Sequence, residues 1–173
     1  MNGNGWMKSM LSVNLDYVEG VVDVSIIVPT CFENPLKKLA TDFLGEVLSL
    51  RRKAIIPVTA VLGAYHIATR YLRAPRRVVK KILVEMLETR SPALYPRVSV
   101  LMAVEALDVA TTYNIESWDG YIIALAQSFK TKIVYTLDSE LKKVREIIVV
   151  NPFPPEKVDE YHEYLQALLE TKH

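Results

Sequence analysis

The chain is predicted to fold as a parallel α/β sandwich, and three observations carry that expectation. Short apolar runs rich in β-branched residues fall at residues 21–28, 54–58, 133–137 and 147–150. Between them lie longer stretches with apolar residues at helical spacing, and strands alternating with helices argue for a parallel sheet covered on its faces. One helical stretch, beginning near Asp119, continues Tyr121, Ile122, Ile123, Ala124, Leu125 and Ala126. A helix apolar most of the way round is buried rather than resting on a core.

Residues 1–20 start with an Asn-, Gly- and Met-rich tract and read as a poorly ordered lead-in. Residues 21–28 read as a buried strand running into a turn at Pro29, with Asp23 and Ser25 on one face by the period of two. An acid in such an apolar run is costly unless it is paired or binds a cation. Asn34 and Pro35 supply a cap and a first-turn proline. A helix with Leu36, Leu39, Ala40, Phe43, Leu44, Val47 and Leu48 in line then ends at the basic Arg51, Arg52 and Lys53.

Residues 54–58 form a second strand, and Thr59 can cap a helix reaching about Arg73. Pro75 opens another, with Val78, Val79, Ile82, Leu83, Met86 and Leu87 facing inward. Ser91 and Pro92 mark a loop. Residues 99–112 read as a helix with Val100, Ala103, Val104 and Leu107 on its apolar side. The buried helix follows, with Trp118 and Tyr121 expected in the core. Lys130, Thr131 and Lys132 break it before the strand that ends on Asp138. A last strand at residues 147–150 closes on Asn151 and Pro152, and residues 153–173 carry an amphipathic helix, packed on the domain or on a partner.

Composition narrows the function classes. The 173 residues suit one domain, half of them are hydrophobic, and the net charge is only +1. Binding of a polyanion must therefore come from a local patch. Arg70, Arg73, Arg76, Arg77, Lys80 and Lys81 are the densest basic stretch, read either as a solvated helix face or as phosphate contacts. The single cysteine, Cys31, rules out an internal disulfide framework. No membrane span is evident, and residues 1–14 lack a signal-peptide pattern, so a cytoplasmic location is expected.

Asp23, Asp119 and Asp138 form a set, because a helix start and two strand ends can meet at the carboxyl edge of a parallel sheet. Three carboxylates there stay ionised only if something positive joins them. Hard oxygen ligands suit Mg²⁺ or Mn²⁺, and the chemistry supported is metal-assisted hydrolysis of a phosphodiester.

The pieces VVDVSII, IPVTAVLGAYHIATRYL and NIESWDGYIIALAQSFKTKIVYTLDSEL, in this order over residues 21–152, resemble the PIN-domain ribonucleases, including VapC-type toxins. The resemblance implies a three-layer α/β/α sandwich with a mainly parallel central sheet. It also implies catalytic acids at Asp23, Asp119 and Asp138, with Asp23 and Asp119 on the metal and Ser25 and Thr136 as supporting hydroxyls. By the same resemblance, the family's helix glutamate falls at Gly63, so the acidic site is incomplete. His66, Glu105 and Glu116 are the candidate substitutes, and Arg70, Arg73, Arg76 and Arg77 the candidate RNA contacts.

What the resemblance implies is an Mg²⁺- or Mn²⁺-dependent endoribonuclease acting on RNA, the toxin of a toxin–antitoxin pair, with a small antitoxin partner and a homodimer. The alternative is a degenerate PIN-like domain that binds RNA or a protein partner without cutting. A third reading, a domain for a small phosphorylated ligand, lacks a glycine-rich phosphate loop.

Overall fold

A computed structural model describes residues 17–171 of the chain. Most of the lead-in expected at residues 1–20, and His173, lie outside the described residues. Five strands form one sheet in the order β3-β2-β1-β4-β5. They are β1 (Gly20–Val22), β2 (Ala54–Pro57), β3 (Leu94–Tyr95), β4 (Ile133–Tyr135) and β5 (Ile148–Val150). Every pairing is parallel, with Val22 opposite Tyr135 and Val21 opposite both Ile55 and Val134. Seven α-helices are described: α1 (Val24–Ile27), α2 (Lys37–Leu48), α3 (Val58–His66), α4 (Arg76–Glu88), α5 (Val100–Tyr113), α6 (Ser117–Ser128) and α7 (Pro155–Glu170).

The strand period of two divides the core into layers. Val22, Ala54, Ile56 and Tyr135 join α1, α2, α3, α4 and α7 in one apolar cluster. Val21, Ile55 and Val134 join α5, α6 and the 3-10 turn Ser139–Lys143 in the other. The result is the expected three-layer α/β/α sandwich. Helix α7 lays Val158 and Tyr161 into the first cluster, with Leu165 and Leu168 packed against it. At the amino edge of the sheet, the Arg52 guanidinium sits between Glu19 and Glu46 and over the rings of Phe43 and Tyr135. Among the described residues, no helix is long and apolar enough to cross a membrane.

Several elements depart from expectation. The first strand stops at Val22, because Asp23 caps a short helix by accepting from the Ser25 amide at 3.2 Å. A local side chain to backbone bond here overrides β-propensity. Asn34 does not cap α2 itself; it closes the turn before it, accepting from Leu36 N and donating to Pro29 O and Phe32 O. Helix α3 begins at Val58 and passes into a π turn, Ile67–Tyr71. The two-residue β3 follows the Ser91–Pro92 loop, and β4 ends at Tyr135, short of Asp138.

The faces of three helices also differ. Val78 is exposed on α4, whereas Val79, Leu83 and Met86 are buried as expected. On α5 the side read as core faces out: Val100 is 82 % exposed, and Val104 and Leu107 are also exposed. Its buried residues are the small Ala106 and Ala110. Trp118, expected in the core, is 65 % exposed, while Tyr121 is buried.

Small residues on α5 follow from its close approach to α6. A Cβ on Gly120 would lie 2.1 Å from the Ala106 carbonyl oxygen and 3.1 Å from the Ala110 Cβ. Backbone cannot yield as a side-chain tip can, so the two helices would have to separate. Gly120→Ala is expected to destabilise the fold by about 3 kcal/mol, at the upper end of overpacking penalties. Equilibrium urea unfolding of the variant beside the parent measures it.

Candidate active site

The sheet order places a topological switch point between β1 and β4, since the chain leaves β1 towards β2 and returns to its other side at β4. In open parallel sheets this is where the carboxyl ends of the strands leave a crevice. Asp23 directly follows β1, and Thr136, Leu137 and Asp138 directly follow β4. Asp119 sits in the first turn of α6, on the layer that covers β1 and β4.

Asp23 is 4 % exposed and held by a network confined to one of its oxygens. Oδ2 accepts from Ser25 Oγ at 2.6 Å, from Thr136 Oγ1 at 2.9 Å and from the Ser25 amide at 3.2 Å. Each hydroxyl also accepts a backbone amide at 2.9 Å, Leu137 N on Ser25 Oγ and Asp138 N on Thr136 Oγ1. The two hydroxyl oxygens lie 3.1 Å apart. Both supporting positions expected from the sequence thus meet Asp23. None of these bonds uses Oδ1, and no buried side-chain oxygen among the described residues lacks a partner, so Oδ1 keeps an accessible face.

Asp23 lines a cavity of about 570 Å³. Asp23, Thr59, Gly63, His66, Glu116 and Tyr121 contribute to its lining. Leu62, Ile67, Tyr71, Trp118 and Ile122 supply an apolar wall. A Cβ on Gly63 would lie 3.3 Å from Val24 Cγ2, so a side chain at this position needs a small adjustment and would stand in the cavity wall.

Electrostatics joins the acids. The Asp119 carboxyl is pushed up to about 7, first by burial, then by repulsion from Asp23, Asp138, Glu116 and Glu140. Asp138 caps the 3-10 turn, its Oδ1 accepting the Glu140 amide at 2.8 Å. Of the three aspartates expected at one site, Asp23 and Asp138 both oppose the ionisation of Asp119, but only Asp23 lines the cavity. Glu116 and His66 line the same cavity, but Glu105 is exposed on α5 and neither lines it nor contributes to the Asp119 shift. Arg70, Arg73, Arg76 and Arg77 are all exposed, and Arg77 lines a separate groove with Lys80 and Lys81.

Can these residues hold a cation? Among the described residues, no three carboxylate, histidine or cysteine side chains are grouped closely enough to form a ligand set on their own. Yet Mg²⁺ is usually held by one or two carboxylates together with waters and substrate phosphates. A free Asp23 Oδ1 and an Asp119 carboxyl whose ionisation is opposed by surrounding acids fit that smaller set.

Trp118 and Tyr71 are the lining residues that sequence reasoning missed. The available signal was position: the first turn of a helix that starts at the sheet edge projects beyond the layer it covers, so Trp118 cannot be buried as Ile122 is.

The model of the family described as PIN domain matches residues 20–147 of the chain. No curated protein matches it.

Burial and repulsion raise Asp119 from 3.8 to about 7, so between those values the folded chain binds more protons than the unfolded one. The stabilisation is present below the unfolded value and is lost as pH rises through the folded one. In chelator, raising the pH from about 5 to about 8 is expected to lower the wild-type Tm relative to that of Asp119→Asn, as thermal melts across this range would show.

Proposed function

The chain belongs to the PIN domain family, whose general activity is that of a nuclease, and from that premise we propose that it is a metal-dependent ribonuclease hydrolysing RNA phosphodiesters at the Asp23 cavity. One observation carries the reading: ionisation of Asp119, in the first turn of α6, is opposed by burial and by Asp23 and Asp138, which follow the two strands at the switch point. Such an arrangement is unfavourable unless a positive group arrives.

Asp23 and Asp119 would hold the Mg²⁺ or Mn²⁺, which when bound neutralises phosphate charge and activates water. The protein's own part is positional. Ser25 and Thr136 hold Oδ2 of Asp23, which fixes the orientation of the carboxylate at the cavity it lines. Without a cation, Asp119 retains a proton up to about pH 7. The Asp138 amide is tied to Thr136, whose hydroxyl also holds Asp23, and Asp138 would help to orient the attacking water. The apolar wall limits the number of waters that compete for the reacting phosphate.

A second reading, a domain that binds RNA or a protein partner without cutting, is favoured by Gly63. A glycine lines the cavity at the position the family resemblance gives to a glutamate, and no three-acid set is grouped there among the described residues. Glu116 and His66 are the lining residues able to take over part of that role. Purified protein with Mn²⁺ is expected to cleave members of an RNA panel. Asp119→Asn should lose more than the roughly 10–100-fold that removing an outer-shell partner costs. A large gain on Gly63→Glu would mark the parent site as decayed, and equal rates would mean that another side chain already serves. Absence of cleavage in folded parent and Gly63→Glu alike overturns the enzyme reading.

A role as the toxin of a toxin–antitoxin pair remains part of the proposal, with a small antitoxin that would cover the cavity. The homodimer expected from the resemblance is supported by the outward face of α5, where Val100, Leu101, Val104 and Leu107 are all exposed. Adjacent apolar side chains of this number mark an interaction surface more often than free surface. Light scattering should give a dimer mass for the parent and a monomer mass for Val104→Asp.

A further inference from the structure

We infer that Trp118 and Tyr71 form a stacking site for one unpaired nucleobase of single-stranded RNA, set in the same cavity as Asp23. The inference rests on the nuclease reading for the identity of the strand, but its own support is separate. Trp118 is 65 % exposed and Tyr71 60 %, and both line the cavity that Asp23 lines. They come from different elements, Trp118 from the first turn of α6 and Tyr71 from the π turn after α3. His66 braces Tyr71 in a T-shaped contact, with ring centroids 5.5 Å apart at 82°, and at 60 % exposure Tyr71 still presents ring surface to the cavity.

A π turn inserted at the end of a helix is a common device for re-aiming side chains at functional sites. Here it lies between α3 and the loop to α4, and it carries Tyr71 at its end. Aromatic faces beside a phosphodiester site suit bases that are neither paired nor stacked on neighbours, because every base has a π face to offer. A duplex keeps those faces covered. The cavity would therefore sort single strands from duplexes through stacking, without reading base edges. The acids that repel phosphate lie beside Asp23, so a strand entering them needs an attraction of another kind, and an aromatic pair supplies one.

The test uses the full chain carrying Asp119→Asn and Trp6→Phe, which makes Trp118 its only tryptophan. A single-stranded oligoribonucleotide is expected to quench the tryptophan emission saturably, and a duplex of the same sequence is expected not to. By anisotropy of the labelled strand, Trp118→Ala and Tyr71→Ala should each weaken binding roughly tenfold, with Trp118→Phe retaining most of it. Thermal midpoints confirm folding; should Trp118→Ala fail to fold, Tyr71→Ala and the duplex comparison decide. Unchanged affinity in a folded alanine variant, or equal quenching by the duplex, overturns the inference. Quenching with these losses, in a protein that never cleaves RNA, would keep the stacking site and remove the nuclease. Cleavage indifferent to Trp118 and Tyr71 would do the reverse.

Discussion

The hydrogen bonds from Ser25 and Thr136 to one oxygen of Asp23 are the interaction on which the rest of this site depends. They join the segment after β1 to the segment after β4, more than a hundred residues later in sequence. Each hydroxyl donates to the carboxylate and accepts a backbone amide, so neither can rotate away without stranding a polar group. The same network ends β1, begins α1 and sets the path of the chain towards Asp138. A buried carboxylate thereby does structural work through one oxygen and leaves the other outside that network, for the chemistry proposed.

This double use explains how the fold tolerates its acids. Charge–charge repulsion falls mostly on Asp119, which lies in the first turn of α6 and meets burial before it meets repulsion. The helix amino terminus offsets part of that, since a carboxylate in the first turn is favoured by the backbone dipole. Behind it, Ile122, Ile123 and Leu125 are buried, and each contributes on the order of 1.5–3 kcal/mol on leaving water. The local electrostatic disadvantage is therefore carried by an element whose packing can bear it.

Much of this was legible in the sequence, and the exceptions have physical reasons. Four of the five strands, the buried α6 and the three aspartates could be read because apolar period and interrupting acid are local signals. The extent of β1 could not. VVDVSII has the composition of one strand, but the Asp23 side chain captures the Ser25 amide and converts its second half to helix. Nor could the orientation of α5, where Val100, Val104 and Leu107 have the spacing of a core stripe. Gly120 decides that orientation: the close approach of the two helices admits only Ala106 and Ala110, so the bulky face turns outward. A periodic stripe says which residues share a face, not which way the face points. Strand β3 has two residues and leaves no period to detect.

Gly63 and the apolar wall are best understood together. A carboxylate at that position would add a fifth acid to a group that already raises Asp119, and would replace open wall with charge. Without it, the side of the cavity between α3 and α6 is built from Leu62, Ile67, Tyr71, Trp118 and Ile122. Charges at the edge of such a wall act across less water, so the proposed pair, Asp23 and Asp119, would feel an arriving cation more strongly. The same wall offers the flat aromatic surface that a row of acids would not. On the proposed reading, a glycine at position 63 would cost one ligand and gain an apolar recess, and the two effects would pull in opposite directions. On that reading, a weaker grip on the metal through protein ligands would be set against a stronger grip on the strand through its bases. Which of them governs the chain's behaviour depends on how much of the cation's coordination the phosphate itself can supply.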